Sequence, residues 1–248
     1  MTTEQALRRL KALGFTAEDV PVARALAAMR SVLRGEAQMP DGREKVLDWD
    51  VFEALMMAAW IRWFVPDDPE ACLTGALWAN ILSAALAGGA WDEAAYQAAY
   101  VLHLRKPPKG ARYIDPTNFY MVVLVENLLD VQTEARYFAH LLTKPDGIYY
   151  VYGKRLDMPP VFKSLQACRY LGALELLAAY EGKACRESLA FAVAWLDENR
   201  EGGQWDLGSK ARDGVYFPLS DNWRKAETRR ADCTARVGAL YARLTAGG

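Results

Sequence analysis

Four short strings punctuate this chain: Met39-Pro40-Asp41-Gly42, Pro107-Pro108-Lys109-Gly110, Lys144-Pro145-Asp146-Gly147 and Glu201-Gly202-Gly203-Gln204-Trp205. Each follows a stretch of helical apolar periodicity and precedes another, after a loop rich in aromatic and charged residues. Glycine takes up the left-handed backbone that ends a helix, and a neighbouring proline keeps the helix from continuing. A repeated helix–turn–loop–helix unit predicts an all-α chain of stacked helical hairpins. The expected architecture is an α/α toroid, partial or complete, of roughly ten helices.

Helix starts are written in capping chemistry. Thr2-x-x-Gln5 reads as a capping box, with a stop near Gly14. Thr16 is expected to open a second helix to about residue 34, with Gly35 as its stop. Asp48 or Asp50 is expected to cap a third, ending near Phe64. Asp68-Pro69 and Asp115-Pro116 pair an N-cap aspartate with proline in the first turn, predicting helices over 70–87 and 117–129. Asp92 opens one to about Leu104, and further helices are expected over 132–143, 160–180, 183–199 and 227–245. The β-prone run 148–152 sits in a connection and reads as extended loop. No Ser/Gly-rich linker divides the chain, so residues 1–248 are expected to form a single domain. The long irregular stretch 201–226 holds Trp205, Tyr216, Phe217 and Trp223, rings that a disordered linker lacks, and it is expected to be ordered.

Composition excludes several classes. At 248 residues and 52% hydrophobic content the chain can bury a substantial core, and a formal charge of -1 supplies no field for nucleic acid or anionic lipid. Two histidines argue against histidine-based metal or relay chemistry, and neither a metal site nor a cofactor is expected. The four cysteines form no C-x-x-C pair and read as reduced thiols of a cytoplasmic protein. Residues 71–91 lack charge but contain Thr74, Asn80 and Ser83, and read as a helix buried all round rather than a membrane span. No feature fixes an oligomeric state.

Ala194-Trp195-Leu196-x-x-Asn199-x-x-Gly202-Gly203-Gln204-Trp205 resembles the QW-type repeat of terpenoid cyclases and protein prenyltransferases. Asp232-x-Thr234-Ala235, followed by Gly238-Ala239-Leu240, resembles the start of an inner helix in those toroids, and 145–149 is a weaker copy of the turn. The likeness covers about 188–244 and implies their architecture. Their catalytic signatures are incomplete here. Asp48-Trp49-Asp50-Val51 ends in valine where a D-x-D-D segment has its last acid, and Asp232 and Cys233 are adjacent rather than spaced for zinc. Asp67-Asp68-Pro69-Glu70 lacks the spacing of a magnesium-binding helix. Glycan-cleaving enzymes share the α/α layout, so fold analogy does not choose a reaction.

In a closed toroid, helix N-termini and long loops gather at one rim, where the helix dipoles favour anionic groups. Asp50 and Asp232 are the candidate catalytic acids; Asp50 stands beside Trp49, where a raised pKa would suit a general acid. Asp48, Trp49, Asn118, Gln166, Arg169, Tyr216, Trp223 and Arg236 are the candidate ligand-binding residues, with Tyr149, Tyr152, Trp205 and Asp213 nearby in the loops. Each has a plainer reading. Asp48, Asp68 and Asp115 suffice as caps, and Trp195 and Trp205 suffice as packing. Arg169 is either an ion-pair partner or a cavity cation. Asp232 and Arg236 stand four apart on one helical face, and Arg224, Lys225, Arg229 and Arg230 read as a solvated helix start. Two functions are carried forward. One is binding of, or action on, a small apolar or saccharide-like ligand in a central cavity, and the alternative is a non-catalytic helical-repeat scaffold for protein partners.

Overall fold

The computed structural model describes residues 2–39 and 47–246, so the Pro40-Asp41-Gly42 turn lies outside the described residues. Among those described there are eleven α-helices and no β-strand. They are α1 (Thr3–Ala12), α2 (Val20–Leu33), α3 (Trp49–Phe64), α4 (Pro69–Leu86), α5 (Glu93–Leu104), α6 (Phe119–Leu124), α7 (Val131–Thr143), α8 (Leu165–Leu177), α9 (Lys183–Ser188), α10 (Ala190–Glu198) and α11 (Ala226–Thr245). The contacts divide the chain into an internal unit, Thr16–His140, and a terminal unit made of Met1–Phe15 and Leu141–Gly248.

In the internal unit α3 is apolar on nearly every face, and it contacts α2, α4 and α6. Its one buried cation, Arg62, is satisfied by carbonyls. Nε donates to Pro66 at 3.0 Å, one amino group to Glu126 at 3.0 Å, and the other to Leu124 at the end of α6. A cation at a helix C-terminus meets the negative end of the dipole as well as free carbonyls. Gly75 lets α4 approach the end of α6, because a Cβ there would crowd the Leu124 carbonyl as well as the Leu128 side chain beyond it. Asp68 and Asp92 cap α4 and α5 through the N–H groups of Ala71 and Ala95. His140 stacks on Trp91 at 4.6 Å.

Four boundaries move for local reasons. The carboxylate of Asp19 turns back to the Thr16 N–H, so α2 starts at Val20 rather than at Thr16. Asp115 accepts from the backbone and hydroxyl of Thr117, leaving Asn118 to cap a shorter α6 through the Met121 N–H. Ser164 caps α8 five residues beyond Pro159, and the 183–199 helix breaks in two at Leu189. The 71–91 stretch is not buried all round. Leu73, Ala76, Asn80 and Ala84 form an exposed stripe on α4, opposite a buried face of Gly75, Trp78, Ala79 and Leu82. Among the described residues no helix is long and apolar enough to cross a membrane.

The terminal unit is organised by the turn at Gly202-Gly203. Both glycines have positive φ (57° and 82°), and Glu201 and Gln204 exchange backbone hydrogen bonds across them, as in a two-residue hairpin. The turn delivers Trp205 between α10 and α11. Its indole N–H donates to the Leu196 carbonyl at 2.8 Å, and its backbone N–H to the Thr234 hydroxyl at 3.1 Å. Residues 148–152 lie in a connection, but they close a tight loop by an isolated bridge between Ile148 and Tyr152 rather than running extended.

Trp205→Phe keeps an aromatic ring but removes the indole donor, leaving the Leu196 carbonyl with only the Asn199 N–H at 3.3 Å, so chemical denaturation should show a loss of about 0.5–1.5 kcal/mol. The four thiols divide sharply. Burial pushes those of Cys168 and Cys233 up to about 12, Cys185 is also buried, and Cys72 alone is partly exposed. An aromatic disulfide reagent at pH 8 should therefore titrate one thiol rapidly in the native protein and all of them after unfolding.

Candidate functional site

The terminal unit holds a cleft of about 520 Å³. One wall is the first turns of α1, with Thr2, Glu4, Gln5 and Arg8. The opposite side is built from the loop after α7, from Arg169 on α8, and from the segment Asp213, Val215 and Tyr216. The Thr2 hydroxyl and Gln5 amide close a capping box, so the N-terminus of α1 is already served by its own side chains.

The 146–153 loop presents the cleft with tyrosines. Gly147 sits at φ 60°, and a Cβ there would collide with the Tyr152 and Lys154 carbonyls. That crowding, with the Ile148–Tyr152 bridge, fixes a compact tip on which Tyr149 and Tyr150 are more than half exposed, their ring centroids 4.0 Å apart. Tyr150 has a left-handed backbone (φ 69°), uncommon for a non-glycine residue. Arg8 holds it there by donating to the Tyr150 carbonyl at 2.9 Å, and also to the Tyr216 hydroxyl at 3.3 Å. Burial raises the phenol pKa of Tyr152 and of Tyr216, which therefore remain neutral.

Tyr216 is positioned from beneath. Its ring lies directly over Gly172 of α8, where a Cβ has no room, and its carbonyl accepts from Arg236. Arg236 is clamped by Glu175 through two bonds at 2.7 and 2.6 Å, and its guanidinium lies 5.2 Å from the Tyr216 ring centre. Asp213, nearly buried, accepts from Arg169 Nε at 3.0 Å with one oxygen and from the Val215 and Tyr216 N–H groups with the other.

The segment 201–225 is thus ordered, as its rings suggested, by side chains that reach it from α8 and α11. Arg229 grips Asp206 with bonds of 2.5 and 2.8 Å, and this pairing lowers the Asp206 pKa. Asp232 accepts the Leu219 and Ser220 N–H groups and the Ser220 hydroxyl, all on Oδ2.

The candidate residues from the sequence fall into two sets. In the internal unit, Asp48 accepts the Lys109 N–H at 3.0 Å, and Asp50 pairs with Lys106 at 2.8 Å. That ammonium lowers the Asp50 pKa, the reverse of the raised value a general acid needs. Trp49 rests against Phe52, and Asn118 is buried with its amide committed to the α6 cap and to the Asp115 carbonyl. In the terminal unit, Arg169 and Tyr216 line the cleft. Arg236 and Asp232 stand behind it, each bonded to a residue distant in sequence rather than to the other. Gln166 accepts from Lys154, and Trp223 is a core ring stacked on Phe217 at 5.3 Å. The reading of 224–230 as solvated fails at Arg229, whose side chain is 13% exposed in its pair with Asp206.

Sequence reasoning missed Arg8, Asp146 and Tyr150. Arg8 follows the polar face of an ordinary amphipathic helix, and Asp146 is hidden inside a turn signature whose glycine explains it fully. Among the described residues no group of three or more His, Cys, Asp or Glu side chains is placed to hold a metal ion. What the cleft offers is aromatic surface, neutral hydroxyls and fixed charges of both signs.

Asp206 yields a pH test. A carboxylate whose folded pKa is depressed stabilises fully above its unfolded pKa of about 4, and that stability disappears as pH falls through the lower folded value. Asp206→Asn should cost about 1–3 kcal/mol at pH 7 and leave a shallower loss of stability below pH 4 than in the wild type. Denaturation midpoints across pH 2.5–7 check both.

Against family models, curated proteins and solved structures alike, the chain gives no match.

Proposed function

We propose that the terminal unit binds a small saccharide-like ligand in the cleft between α1, the tyrosine loop and Arg169. The observation that carries this reading is the pairing of a rigid, exposed tyrosine tip with fixed charges of both signs in one concavity. Sugar rings present apolar C–H faces that lie on aromatic rings and hydroxyls that both donate and accept. Tyr149 and Tyr150 supply the first surface, and Arg169 and Asp146 supply the second kind of contact. A diphosphate fits less well, because Glu4, Asp146 and Asp213 offset Arg8 and Arg169. A wholly apolar ligand would leave those charges desolvated.

The architectural part of the proposal is an α/α toroid, partial or complete, like that of terpenoid cyclases and prenyltransferases. Adjacent pairing of α3 with α4, α4 with α5 and α10 with α11 supports hairpin stacking. Four cysteines with no C-x-x-C pair among them support a reducing compartment, the cytoplasm. A scaffold role has one observation in its favour, the exposed Met158 and Val161, though isolated exposed apolar residues are ordinary on protein surfaces.

A thermal-shift screen of neutral and acidic oligosaccharides beside prenyl diphosphates tests the binding reading. A saccharide at about one hundred times its Kd should stabilise by roughly 2.7 kcal/mol, and Tyr149→Ala should abolish that shift while leaving the ligand-free melting temperature nearly unchanged. Stabilisation by diphosphates alone, or insensitivity to Tyr149→Ala, would overturn it.

A further inference from the structure

We propose that Arg169 is a specificity-determining residue that binds a carboxylate, so that the saccharide taken by the cleft is an acidic one, a uronate. The proposal rests on the saccharide reading above and narrows it.

Asp213 is not open to a ligand. One carboxylate oxygen accepts from Arg169 Nε at 3.0 Å, the other accepts two backbone N–H groups, and the side chain is only 7% exposed. Its effect on Arg169 is one-sided. The Nε edge is anchored, while the terminal amino groups have no partner among the described residues and the side chain is 55% exposed. A planar guanidinium held by one edge presents its remaining donors as a fork, the geometry that matches the two oxygens of a carboxylate. Holding Arg169 in advance also removes part of the rotamer entropy that binding would otherwise cost.

The other cation of the cleft is differently employed. Arg8 bridges the Tyr150 carbonyl and the Tyr216 hydroxyl and so builds the wall. Asp146 is the complement of Arg169: an exposed lining carboxylate with no partner among the described residues. It accepts from hydroxyls and repels a second anion. A ligand that satisfies both must carry its negative group toward Arg169 and neutral hydroxyls toward Asp146, with a ring face for the tyrosines. A uronate meets all these demands. A neutral sugar leaves the Arg169 fork to water, and a simple carboxylate leaves the tyrosines unused.

Calorimetric titration with trigalacturonate, its fully methyl-esterified form and acetate decides the matter on the wild-type protein. The ester keeps the ring and hydroxyls and removes only the charge. The acid should bind at least tenfold more tightly than the ester. Arg169→Gln should erase that preference while ester binding persists, and Arg169→Lys should restore only part of it. Equal wild-type affinity for acid and ester would overturn the carboxylate proposal and leave the saccharide reading standing. Binding of neither would overturn both. Acetate displacing the trimer at comparable concentration would assign Arg169 to a small free carboxylate and overturn the uronate.

Discussion

The terminal unit depends on one buried guanidinium. Arg236 of α11 reaches past its own helix to Glu175 on α8 and to the Tyr216 carbonyl in the segment between α10 and α11. Burial works to lower its pKa, but Glu175, with smaller contributions from Cys168 and Tyr216, raises it overall, and the group stays charged. Two helices and a long loop are thereby referred to a single planar cation. The Tyr216 ring then lies on Gly172, its hydroxyl meets Arg8, and Arg8 holds the Tyr150 backbone in its left-handed conformation. Removing one partner of such a pair leaves a buried charge uncompensated, typically at 3–5 kcal/mol. The tyrosine wall of the cleft is a downstream effect of this pairing.

The internal unit meets the same problem with different chemistry. Arg62 is as buried as Arg236, yet its partners are three carbonyl oxygens rather than a carboxylate. Carbonyls at the end of α6 carry the negative end of a helix dipole, so they balance the cation without a second desolvated ion. One arrangement orients a loop and the other closes a helix end.

Capping chemistry was legible because its partners lie within three residues. Thr2 with Gln5, Asp68 with Ala71 and Asp92 with Ala95 were readable as written. Legibility fails where two good caps compete. Between Asp115 and Asn118, the sequence favours the aspartate before proline, but that carboxylate is drawn to Thr117 and the helix begins later. It fails altogether for long-range pairs. Asp232 and Arg236 have the spacing of a helical ion pair, yet Ser220 and Glu175 take them, because both face inward on α11. The candidate site shows the same divide. Arg169, Tyr216, Tyr149 and Asp213 stood out as charges or rings in conspicuous places. Arg8 and Asp146 did not, because an amphipathic helix and a turn already account for them locally.

The terminal unit is discontinuous in sequence, with α1 before the internal unit and its partners beyond residue 140. This sets an order on biosynthesis. Arg8 leaves the ribosome roughly ten seconds or more before Tyr216, at typical elongation rates of about 5–20 residues per second. During that interval the whole internal unit emerges and can fold on its own contacts. The first helix buries only Leu7 of its side chains and is too short to persist alone in water. The surface it packs against is supplied by residues beyond 140. The cleft accordingly forms only after α11 has emerged, and its appearance reports that α11 has docked on α8.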